Sequence, residues 1–221
     1  MKRLLIIVLV LLAGCGGSPE GQVTVSETRS GGADSPELAV TSVLRGIAES
    51  DAALLESMTV TDQLALVALV EGATAAEAEA ALGFASQQVA SQFWTSFADG
   101  VEDFLGTNVD GIRIGDVASI DVPGARYASV EVMFPLDRAD RSFVVTDRNG
   151  WRVDLVATFP GAFLPSVGVA LERASAPGAS PALVESILDQ STSLDALDVI
   201  GVPAELSDAL VSARDAMSSR R

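Results

Sequence analysis

The sequence predicts an α+β fold: N-terminal helices, one of them long and amphipathic, packed on a curved antiparallel four-stranded meander, with a helical extension at the C-terminus. Two observations lead there. Apolar residues recur at helical spacing between residues 36 and 105, switch to strict alternation between 109 and 158, and return to helical spacing after Pro160. The four alternating stretches follow one another through short links, which antiparallel pairing permits and parallel crossovers do not.

The helices announce themselves by their caps. Ser35, Pro36 and Glu37 supply an N-cap, a first-turn proline and a dipole-compatible acid, and Leu38, Val43, Leu44 and Ile47 form the apolar stripe of the helix they open. The stripe fades over Glu49 to Asp51, "AALLESM" gives a second short helix, and Asp62 to Val70 a third. Thr74 and Glu77 match a capping box at the head of a long amphipathic run. In that run Leu82, Ala85, Val89, Phe93, Phe97, Val101 and Phe104 share one face, Trp94 lies beside it, and Gly106 supplies the stop.

The strands follow. "VDGIRIGDVASIDV" (109–122) predicts the first, with an irregularity near Gly115. "RYASVEVMFP" (126–135) sets Ala128, Val130, Val132 and Phe134 on one face and Tyr127, Ser129, Glu131 and Met133 on the other. "RSFVVTDRNGWRVDLVATF" divides at Asn149-Gly150, a pair that tolerates the positive φ angles of a two-residue hairpin loop, and Trp151, Val153 and Leu155 alternate with Arg152 and Asp154 beyond it. Three further helical stretches begin near Gly161, Pro181 and Pro203. Helices of that size are too small to stand alone, so residues 36–221 form one domain, with a core at 36–158 and an extension at 159–221.

Ahead of the domain stand Lys2 and Arg3, an apolar run from Leu4 to Leu12, two small residues and the single cysteine, Cys15. The run is too short to span a bilayer and has the build of an export signal. Leu12-Ala13-Gly14-Cys15 resembles the lipobox of bacterial lipoproteins. That resemblance implies cleavage after residue 14, a diacylglyceryl anchor on Cys15 and residence on the extracytoplasmic face of the cell membrane, and two acyl chains meet the requirement for stable anchoring. Residues 15–35 are rich in Gly, Ser and Thr and predict a flexible tether.

Composition excludes more than it assigns. Without residues 1–14 the chain carries 12 arginines against 30 carboxylates, a net charge of −18, which phosphate backbones repel, so no nucleic-acid partner is expected. No histidine is present and Lys2 is the only lysine. Histidine-based triads, HExxH zinc sites, Schiff-base lysines and the Walker A lysine are therefore ruled out. One cysteine permits no intrachain disulfide. Carboxylate chemistry and hard-metal binding survive, yet "DRAD" (137–140) and Asp195 with Asp198 are pairs that 30 carboxylates produce by chance, and no calcium-loop spacing occurs. No metal, cofactor or catalytic residue is assigned.

"SPELAVTSVLRGIAESDAALLESM" resembles the opening helix pair of the nuclear-transport-factor-two-like, or cystatin-like, lipoproteins, and "YASVEVMFPLDRADRSFVVTDRNGWRVDL" their closing hairpins. The resemblance implies a conical pocket between sheet and long helix, lined or rimmed by Phe93, Phe97, Tyr127, Phe134 and Trp151; the anchor, the tether and the missing catalytic side chains point to a domain that binds a small apolar ligand or another envelope protein without catalysis. The alternative it implies is a carboxylate-dependent enzyme of the ketosteroid-isomerase type, for which Tyr127 and Asp121 are the nominated pair.

Overall fold

The computed structural model describes residues 31–106, 108–134 and 141–220; Cys15 with the stretch expected to be a lipobox, "DRAD" and the side chain of Phe104 lie outside that description. Five helices come first: α1 (Pro36–Glu49), α2 (Ala52–Ser57), α3 (Asp62–Val70), α4 (Ala75–Ala81) and α5 (Ser86–Leu105). Four strands follow, β1 (Arg113–Val122), β2 (Ala125–Met133), β3 (Arg141–Asp147) and β4 (Trp151–Val153), in the spatial order β1-β2-β3-β4 with every pair antiparallel. The chain closes with α6 (Leu155–Thr158), α7 (Pro160–Phe163), α8 (Val167–Ala174), α9 (Pro181–Leu188), α10 (Ser191–Ile200) and α11 (Ser207–Ser218). The predicted α+β class, the meander and the helical C-terminal region are all present.

Local chemistry sets the element ends. The Ser35 hydroxyl accepts from the Leu38 N–H to cap α1, whose other end turns on Ser50 in the left-handed region at φ 54°. Thr74 and Glu77 complete the expected capping box of α4. The long run does not continue from there: the chain turns at Gly83 and Phe84, leaving Phe84 95% exposed, before α5 begins. β1 carries its irregularity between Ile114 and Val117, around Gly115. The β3–β4 loop spans three residues rather than two, because Asp147 still pairs with Trp151 and both Asn149 (φ 60°) and Gly150 (φ 117°) take positive φ inside it.

Three expectations are corrected by packing. β4 stops at Val153, and Leu155 begins a helix because the Asp154 side chain accepts the Ala157 N–H as its N-cap. In α5 the fully buried residues are Ala90 and Trp94, with Phe93 and Phe97 on the flanks, so the stripe is centred one residue from where spacing put it. Residues 31–35 of the expected tether dock on the sheet: the Ala33 N–H donates to the Trp151 carbonyl at 2.9 Å, and the Ala33 carbonyl accepts from the Trp151 N–H at 2.8 Å.

α1 crosses all four strands. α3 is buried from Gln63 to Leu69 and is apolar on every side apart from Gln63, so it needs neighbours all round. α4, α5, α8 and α9 supply them. A single apolar cluster runs from Ala39 in α1 to Met217 in α11. The C-terminal helices therefore contribute to the same core as the N-terminal helices and the sheet.

Candidate functional site

Cross-strand partners share a face of the sheet. Phe143 pairs with Val130, and Arg141 with Val132, so both arginine and phenylalanine stand on the face that α5 covers; Tyr127 pairs with Thr146 and points to the other face. On the α5 face Trp94 stacks on Phe143 at 6.1 Å between centroids, and its indole N–H donates to Thr59 Oγ1 at 2.9 Å. Phe97, Phe143 and Phe159 pack against one another at 5.7–5.9 Å, inclined edge to face or tilted. Beside these three rings opens a cleft of about 270 Å³ lined by Phe97, Phe134, Phe143, Phe159, Thr158, Ser142 and Arg141. The Thr158 hydroxyl is occupied, accepting from the Val144 N–H and donating to the Val144 carbonyl. Arg141 and Ser142 are exposed at the mouth.

Two of the five residues nominated for the pocket, Phe97 and Phe134, meet here. Phe93 sits behind the cleft, 5.5 Å from Phe159 and 6.1 Å from Phe163. Trp151 lies at the far end of β3, paired with Asp147 and stacked under the Arg126 guanidinium at 5.3 Å. Phe143, Phe159, Thr158, Arg141 and Ser142 escaped the sequence reading. Phe143 was legible as the alternate position next to Arg141; Phe159 was not, because it comes from a helical turn that the strand pattern concealed.

Tyr127 belongs to a separate, sealed site on the opposite face. Asp154, 0% exposed, accepts from Ser193 Oγ at 2.6 Å, Gln63 Nε2 at 2.8 Å, the Ala157 N–H at 2.9 Å and the Tyr127 hydroxyl at 3.1 Å. Gln63 Nε2 also donates to Gln190 Oε1 at 2.8 Å, and Gln63 Oε1 accepts the Leu155 N–H. Burial, reinforced by the Asp154 charge, pushes the Tyr127 hydroxyl up to about 12. Asp121, the nominated partner of Tyr127, stands exposed and opposite Arg126. The Tyr127–Asp121 pair is therefore not formed. A single residue separates Asp121 from a position on Tyr127's face, and alternation turns it away.

Among the described residues no group of three or more His, Cys, Asp or Glu side chains is placed to hold a metal ion, and no helix is long and apolar enough to cross a membrane. No family model matches the chain, and comparisons with curated proteins and with solved structures return no match.

Proposed function

We propose that this chain is a lipid-anchored extracytoplasmic protein, held at the membrane through Cys15, whose folded domain binds a small ligand in the cleft beside Phe97 without catalysing its conversion. One observation carries the binding part: four phenylalanines form an apolar cleft of about 270 Å³ that opens to solvent on a polar lip. Ligand sites are typically concave, mostly apolar and equipped with a few polar groups that orient the occupant. The anchor rests on Leu12-Ala13-Gly14-Cys15 and the short apolar run before it. The resemblance to the nuclear-transport-factor-two-like lipoproteins belongs to the same reading, and the four-stranded meander with aromatic residues of α5 on one face supports it.

The non-catalytic reading is preferred to the isomerase-like enzyme on the state of the buried carboxylate. A general base needs a free lone pair within reach of substrate. Asp154 is closed to solvent and already accepts four hydrogen bonds.

Native and denaturing mass spectrometry of the full chain extracted from its membrane tests the binding, and metabolic labelling with a fatty acid tests the anchor. The expected results are a mass excess lost on denaturation, and label that disappears in Cys15→Ser. Label retained in Cys15→Ser would refute the anchor.

A further inference from the structure

The cleft has a charge preference written into its lip. The protein is acidic, with 30 carboxylates against 14 basic residues, and its surface as a whole repels anions. The arginines seen in ion pairs are Arg126 with Asp147, Arg148 with Asp62, and Arg214 with Asp195 and Asp198. Arg141 makes no ion pair or hydrogen bond with any described residue. It opens β3 on the same face as Phe143 and lines the mouth of the aromatic cleft. An unpaired guanidinium presents a planar fork of donors matched to a carboxylate, and among the described residues lining this mouth it is the cation that can offset the repulsion of the surrounding surface. The Thr158 hydroxyl, which also lines the cleft, is spent on Val144.

Size limits what lies behind the charge. At a liquid-like share of about 30 Å³ per heavy atom, 270 Å³ holds about nine non-hydrogen atoms. Walls of phenylalanine edges and faces favour a planar aromatic body packed edge to face. We infer that the cleft takes a small aromatic monocarboxylate, its ring among Phe97, Phe134, Phe143 and Phe159 and its carboxylate on Arg141. This rests on the cleft being a ligand site at all, as proposed above.

Benzoate and benzamide separate the two levels. They have the same number of heavy atoms and nearly the same shape, and differ in charge. Each is titrated by ligand-observed NMR against the full chain in lipid nanodiscs, with empty discs as the partition control, for the unaltered protein and for Arg141→Gln. Arg141 is exposed, so the substitution leaves the fold intact, and backbone spectra of the two proteins verify this. The expected result is saturable benzoate binding about tenfold tighter than benzamide, a preference that disappears in Arg141→Gln and shrinks as salt is raised. Equal binding of both probes, or a benzoate preference that survives Arg141→Gln, overturns the carboxylate assignment and leaves the ligand cleft standing. Absence of saturable binding by either probe at millimolar concentration overturns the cleft reading itself.

Discussion

Replacing Asp154 by alanine and, separately, by asparagine distinguishes a carboxylate that organises the core from one that merely occupies it. The carboxylate joins four segments distant in sequence: Gln63 from α3, Tyr127 from β2, Ser193 from α10 and the first turn of α6. With alanine, Gln63 Nε2 keeps Gln190 and Tyr127 keeps Thr192 Oγ1 at 3.3 Å, but the Ala157 N–H and the Ser193 hydroxyl lose a buried acceptor. Two unmet buried donors at roughly 1–3 kcal/mol each put the loss at about 4 kcal/mol. Asparagine keeps one oxygen for Gln63 and Ala157, and its amide group faces two hydroxyls that can turn and accept. It loses the charge-assisted share of the bonds, about 1–2 kcal/mol. Urea denaturation followed by far-ultraviolet circular dichroism reads both values at neutral pH. Equal losses for the two variants, or a loss for alanine below about 1 kcal/mol, would refute the account of the network.

Tyr127 is the chain's only tyrosine, so phenolate absorbance reports it alone. It should ionise at about 12 in the folded protein and near 10 in denaturant. Because the folded value is the raised one, this contribution to stability is complete below pH 10 and drains away as pH climbs to about 12, a limb that Tyr127→Phe should flatten in alkaline denaturation curves. Gly46→Ala would bring a Cβ to 2.8 Å from Leu55 Cδ2 and 3.0 Å from its Cγ inside the core, and should cost about 1–3 kcal/mol. Gly100→Ala meets nothing within 4 Å on α5 and should gain about 0.5–1 kcal/mol, so thermal melts of the two variants should move in opposite directions. Trp94→Phe leaves a gap beside Phe143 and removes the donor to Thr59 Oγ1, and a denaturant midpoint unchanged from the parent would contradict Trp94's place at the centre of the core.

Much of this protein was legible one element at a time. Ser35-Pro36-Glu37 predicted where α1 begins, Thr74 with Glu77 where α4 begins, alternation through 126–134 the second strand, and Asn149-Gly150 the reversal before the fourth. Each is a local effect: a side chain meeting an orphan N–H, a backbone angle that suits one residue type, a pleat with period two. Phe97 and Phe134 were likewise assigned to the side of their elements on which the cleft forms. What local pattern could not supply was the partner of each face. Trp94 rather than Phe93 or Phe97 is fully buried because Thr59 and Phe143 lie opposite it, and neither is near it in sequence. "DQLALVALV" carries apolar residues round its whole circumference, a sign of a surrounded helix, but which helices surround it depends on chain returning about a hundred residues later. Asp154 occupied a position that alternation marks as polar and outward. The strand ends one residue earlier, α10 covers that face, and an outward acid becomes the acceptor at the centre of the core. Periodicity determines that an element has a buried side; only contacts between residues far apart in the chain decide what is buried there.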